Sequence, residues 1–137
     1  MIYNDKEFEI EEVEAFYIIR KNSTDMYIKV LSKDGHRIMF SWKEKNLNPR
    51  LMKINKPINL VPYIFWDVTL VTKDTYYLFD LTKDKVELTR LDDNLFKIDV
   101  YIEKPDIIYC PLVDNDTFKN LIINTTFSFC YEDKYNV

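Results

Sequence analysis

Four short runs in which apolar and polar residues alternate, at 63–72, 75–81, 85–91 and 95–103, are separated only by the polar breaks Lys73-Asp74, Lys83-Asp84 and Asp92-Asp93-Asn94. A period of two sends successive side chains to opposite faces of an extended chain, and breaks this short join antiparallel neighbours. The pattern predicts a meander of four sequential strands. No helical reading fits runs punctuated so often.

The rest of the chain reads in the same way. Phe8 and Ile10 alternate with glutamates in residues 7–11, an apolar run follows at 15–20, and residues 26–32 alternate again. Ser32-Lys33-Asp34-Gly35 then precedes the run 36–42, a hairpin signal in which Gly35, the only glycine, supplies the left-handed turn position. Residues 43–59 break the pattern. Asn48 followed by Pro49 predicts a short capped helix with Leu51, Met52 and Ile54 toward the core. In the tail, residues 107–110 predict a short strand stopped by Pro111, and residues 114–124 a capped turn or a loop leading into a strand. Residues 125–132 predict the last strand, with Phe127, Phe129 and Tyr131 on one face. The expected fold is all-β and mainly antiparallel: a single-domain β-sandwich or barrel of about nine strands over residues 1–137, meander-rich, with one or two short helices.

A chain of 137 residues that is 47% hydrophobic with a net charge of −4 has enough apolar material for a core and too little charge to stay unfolded. Its single Gly and single His exclude much chemistry. A phosphate-binding P-loop, a dinucleotide fingerprint and a GxSxG nucleophile elbow each need at least two glycines. A closed zinc site needs four Cys or His ligands, and Cys110, Cys130 and His36 make three. The expectation is no metal, no cofactor and no enzyme activity. Asp, Glu and Lys at Asp106, Glu132 and Lys134 match the loose spacing of metal-dependent nucleases, but residue types this common here match by chance, and turn chemistry accounts for them. The clusters Asp92-Asp93-Asn94 and Asp114-Asn115-Asp116 read as turns and caps, and His36 as an exposed turn residue. Cys110 and Cys130 are expected to be free, buried thiols.

The N-terminal residues are acidic and lack the apolar segment of a signal peptide, and no run approaches the ~20 apolar residues of a membrane-spanning helix. A cytoplasmic or virion location, with no membrane contact, is expected. Lysines are interleaved with acids, so no basic stripe is expected and nucleic acid is disfavoured as a partner. The abundance of Phe, Tyr, Ile, Asn and Lys beside scarce Gly, Ala, Arg and Pro indicates an A+T-rich coding sequence, as in low-GC bacteria and their phages.

Two strands are apolar on both sides. Tyr63 and Phe65 lie opposite Ile64 and Trp66, and Tyr17 and Ile19 lie opposite Phe16 and Ile18. One face must meet the core, which leaves the other for a second layer, a ligand cavity or a partner. Tyr17, Ile19, Tyr63 and Phe65 are therefore candidate protein-contact residues, joined by Glu11, Glu12 and Glu14 of the acidic run, which suit a basic groove on a partner. The expected function is a non-enzymatic protein–protein interaction domain, in a phage structural or accessory protein, that forms a homo-oligomer or larger assembly. The alternatives are an acidic inhibitor or immunity-type protein that blocks a toxin or a nucleic-acid enzyme, and a small barrel holding an apolar ligand against Trp66, Phe79 and Phe96.

Overall fold

The computed structural model describes residues 1–64, 68–72, 75–103, 105–109 and 118–136, with residues 108, 109 and 130–136 described by backbone alone. The strands in these residues are β1 (Ile2–Tyr3), β2 (Lys6–Glu7), β3 (Ile10–Ile19), β4 (Thr24–Ser32), β5 (Arg37–Lys43), β6 (Ile58–Asn59), β7 (Val68–Val71), β8 (Tyr76–Asp80), β9 (Lys85–Arg90), β10 (Leu95–Ile102), β11 (Asp106–Tyr109) and β12 (Leu121–Asn136). They form one hydrogen-bonded path, β11-β8-β7-β5-β4-β3-β12-β10-β9-β6, with the β1–β2 hairpin attached to β12. Every pairing is antiparallel except that of β12 with β3. The sheet curls into a half-barrel, so the expected all-β, mainly antiparallel class is the one adopted. Helix is confined among the described residues to a 3-10 turn, Pro49–Leu51, capped by Asn48 as the sequence predicts.

The expected four-strand meander is instead two hairpins in different halves of the sheet. β7 pairs with β8 and β9 with β10, but β8 and β9 are not neighbours. Residues 81–84 connect them, with Leu81 only 9% exposed and Thr82 and Lys83 exposed. A short polar break reverses a chain equally well within a layer or across one, and alternation does not name the neighbouring strand.

The long strand β12 joins the halves. Residues 121–128 pair with β10, and Phe129 and residues 134–136 pair with β3. Inside the curl, Met26, Ile28, Phe40, Trp42, Leu70, Tyr77 and Phe79 of β4, β5, β7 and β8 share one buried cluster with Val86, Leu88, Ile98, Val100 and Ile123 of β9, β10 and β12. Each such side chain contributes roughly 1.5–3 kcal/mol on burial.

Strand β3 runs through what alternation alone divides into two segments. Ile10 opposes Ser32 and Glu12 opposes Leu31, so Glu11 is the extra residue of a β-bulge. The bulge resets the phase: Phe8 and Ile10 pack inward before it, and Val13, Ala15, Tyr17 and Ile19 after it. At the N-terminus, Asn4 and Asp5 both take positive φ (50° and 66°), as a two-residue type I′ hairpin requires. Their side chains clip that hairpin to the approach to β12: Lys119 N–H donates to Asn4 Oδ1 at 2.7 Å and Asn120 Nδ2 to Asp5 Oδ1 at 2.7 Å.

The β4–β5 hairpin forms where Gly35 predicts it. Gly35 has φ +90° and its N–H donates to Ser32 O at 3.0 Å. His36 differs from expectation. It is half-buried, with its ring 4.5 Å from that of Phe8 and 5.3 Å from that of Tyr3, because the N-terminal hairpin folds over it.

Candidate functional site

A hollow lies in the segment that interrupts the strand pattern. It occupies about 550 Å³ and is walled by Lys45, Lys53, Lys56, Leu47, Leu51 and Ile58, with Glu44 as the one acid. The loop that forms it is fastened at both ends. At its start the indole of Trp42, fully buried, donates to Leu47 O at 2.8 Å, and the Glu44 N–H donates to Thr24 O at 2.9 Å. In its middle the Asn48 side chain accepts from the Arg50 N–H at 3.0 Å, and Pro49, buried, opens the 3-10 turn. The Arg90 guanidinium then donates to Arg50 O at 2.9 Å and to Met52 O at 3.1 Å, while Asn55, at φ +60°, donates its N–H to Arg90 O at 2.8 Å. A loop tied down this way has its backbone set before any ligand arrives.

Of the three apolar residues expected to face the core here, only Met52 does, at 4% exposure. Leu51 is 80% and Ile54 47% exposed, since a three-residue 3-10 turn has no continuous face to bury them. They are set among cations. Residues 43–59 contain Lys43, Lys45, Arg50, Lys53 and Lys56 against Glu44 alone, a net charge of +4 in a chain of −4. The expectation that basic residues are evenly interleaved with acids therefore fails for this segment. Lys45, Lys53 and Lys56 form no ion pair among the described residues.

The acidic candidates sit at the other end of the same strands. Glu11 and Glu12 are exposed, whereas Glu14 is half-buried and paired with Lys29 at 3.0 Å. Nearby, Glu9 binds Lys33 at 2.9 Å, and this hydrogen bond, followed by the charge of Glu9, raises the lysine pKa above its ordinary value. The aromatic candidates are dispersed. Tyr17 is turned into the core at 4% exposure and Ile19 packs against the core half-buried, because the Glu11 bulge sets odd-numbered residues inward. Phe16 and Ile18 hold the outward positions instead. Tyr63 is half-buried against the core, and Phe65 lies outside the described residues, as do Trp66, Cys110 and the 114–116 cluster.

On the outward face of β3 and β4, Phe16 stacks on Tyr27 with centroids 5.1 Å apart and planes 7° from parallel. Arg20 reaches over this pair, donating from Nε to Asp25 Oδ2 at 2.7 Å and from Nη2 to the Tyr27 hydroxyl at 3.3 Å. The Asp25 bond first, and then that to Tyr27, hold the arginine protonated beyond its ordinary range. Asp25 itself is 3% exposed.

The remaining candidates resolve individually. Asp106 begins β11 and residues 132–134 lie on β12, which are separated in the sheet by five strands rather than adjacent, so the nuclease spacing does not converge there. Among the described residues no group of three or more His, Cys, Asp or Glu is placed to hold a metal ion. Asp92-Asp93-Asn94 is a turn, with the Asp93 N–H donating to Asp92 Oδ1 at 2.8 Å. Phe79 and Phe96, proposed ligand-facing residues, are packed against other rings: Phe79 is 4.8 Å from Phe118, and Phe96 is 5.8 Å from Phe129. Comparison with known protein families, curated proteins and solved structures finds no match.

Proposed function

We propose that this protein is a non-enzymatic interaction domain that captures an acidic, partly apolar protein segment in the hollow of residues 44–58. The observation that carries this reading is the coincidence there of exposed Leu51 with the cations Lys45, Lys53 and Lys56, in a protein otherwise acidic. Lysine stems present apolar surface beneath a charged tip, so such a wall suits a chain that alternates carboxylates with aliphatic side chains. A nucleic acid is a poorer fit. The lining holds no aromatic ring for a base to stack on, and the acids elsewhere oppose long-range attraction of a phosphate backbone.

The test is fluorescence anisotropy with a labelled peptide of alternating Glu and Leu and, in parallel, a labelled single-stranded DNA. The peptide is expected to bind, more weakly as salt rises, and the triple variant K45E/K53E/K56E to lose about tenfold or more in affinity, roughly 1.4 kcal/mol. Equal binding by the variant, or binding of DNA in place of the peptide, overturns the reading.

A further inference from the structure

We infer that the acidic segment received by this hollow belongs to a second copy of the same chain, so that the protein self-associates head to tail; the inference rests on the function proposed above. Three observations meet. Residues 5–14 hold Asp5, Glu7, Glu9, Glu11, Glu12 and Glu14 against Lys6 alone, and because Phe8, Ile10 and Val13 pack toward the core, what the segment presents outward is the acid that the basic hollow suits. Of these acids, Glu9 and Glu14 are engaged by Lys33 and Lys29, and Asp5 faces Lys119 at 3.8 Å, while Glu7, Glu11 and Glu12 are exposed with no ion pair among the described residues. Three exposed acids thus match the three lysines, Lys45, Lys53 and Lys56, that line the hollow with no ion pair among the described residues.

The second observation is their separation. Glu12 opposes Leu31, which opposes Arg37, at one end of the β3–β4–β5 sheet; Lys43, the residue before the hollow, opposes Asp25 at the other end. The six steps from Arg37 to Lys43 span roughly 20 Å at strand rise. A chain cannot lay its own acidic segment in its own hollow, but two copies aligned along the strand direction bring opposite charges together.

The third is the backbone edge. Strand β12 pairs with β3 only at Ala15 and at Tyr17, Ile18 and Ile19, so among the described strands residues 10–14 have a partner on the β4 side alone. Charges and a bulge on such an edge hinder indiscriminate strand addition while leaving the segment open to a surface that matches them. The two surfaces differ, so the contact is heterologous: it closes into a ring if the rotation between copies permits and otherwise extends as a filament.

Light scattering on a size-exclusion column, across a wide concentration range at low and high salt, tests this with charge reversals at each surface. Wild type is expected to rise above the monomer mass with concentration in low salt and to return to it in high salt. K45E/K53E/K56E and E7K/E11K/E12K are each expected to stay monomeric, and their equimolar mixture to recover the assembled mass, because mixing restores one native and one reversed contact. Circular dichroism confirms that each variant is folded, and Lys→Gln and Glu→Gln versions replace any that is not. A monomer at every concentration in low salt, an oligomer indifferent to either variant, or a mixture that stays monomeric overturns the inference. If the Glu-Leu peptide still binds the hollow of a chain that remains monomeric, only the identity of the partner falls; if the peptide also fails, the proposed function falls with it.

Discussion

The two halves of the half-barrel bury their inner faces alike and treat their outer faces differently. Outside β9, β10 and β12 the cross-strand rows are Lys85, Tyr101 and Ile122; Glu87, Asp99 and Asn124; and Thr89, Lys97 and Thr126, polar but for the first row. Lys85 pairs with Glu87 at 3.2 Å and Lys97 with Asp99 at 3.7 Å, within reach of water. Outside β3, β4 and β5 the rows are Glu14, Lys29 and Met39; Phe16, Tyr27 and Ser41; and Ile18, Asp25 and Lys43, with Tyr27, Ser41 and Asp25 at 3–4% exposure. Antiparallel sheets ordinarily give one face to solvent, and the first half does so more fully, Thr89 at 8% exposure being the buried residue of its rows. In the second half the outward side chains are themselves packed, which makes strand face a poor guide to energetic weight.

The largest test of that difference is Tyr27→Ala. Although it points away from the core, losing the Phe16 stack and the Arg20 bond is expected to cost about 3 kcal/mol in urea denaturation, as a core aromatic would. Asp99→Ala, at the corresponding outward position of the other half, is expected to stay within about 0.5 kcal/mol. Equal effects would erase the distinction. Next in size, deletion of Glu11 removes the bulge and forces Phe8 and Ile10, or the residues after them, out of phase, at an expected cost of about 2 kcal/mol. Glu11→Ala keeps the backbone and should unfold at nearly the wild-type urea midpoint; a comparable loss from both would mean that the side chain, not the extra residue, matters.

A smaller contrast sets two ion pairs against each other. Glu14→Gln, which weakens a half-buried bond to Lys29, is expected to cost about 1 kcal/mol, and Asp99→Asn less, because its bond is longer and Lys97 is the more exposed lysine. The smallest effect is in alkali. Glu9 raises the folded-state pKa of Lys33 above the ordinary lysine value of 10.5, so the pair's contribution is complete below that value and fades as pH climbs through the raised one. Lys33→Met should therefore differ from wild type in melting temperature at pH 9 and converge on it at higher pH; a difference unchanged across that window would assign the effect to packing.

Much of this was legible in the residues. The β4–β5 hairpin rests on Gly35, the 3-10 cap on Asn48 and Pro49, and the inward run of Phe127 and Phe129 on simple alternation, all signals contained within a few residues. The bulge at Glu11 was not, since an inserted residue changes only the phase of the residues after it, and Tyr17 consequently exchanges faces with Phe16. The hollow was hidden for a different reason. Charge averaged over the whole chain conceals five cations and one acid in residues 43–59, and a window of that length recovers the signal. That Leu51 and Ile54 stay exposed, and that Arg90 pins the loop from 40 residues away, no local window contains.

The sequence by itself determined that the chain is built of short antiparallel strands, where several turns fall, and that glycine-dependent phosphate sites are absent, because backbone preference and period-two alternation act between neighbours in the chain. Only the tertiary structure decided that β8 and β9 part company, that β12 serves both halves, and that the acidic and basic segments stand at opposite ends of one sheet. Those outcomes depend on which distant apolar faces cover one another, and hydrophobic burial, being non-directional, leaves no mark of its partner in the local pattern.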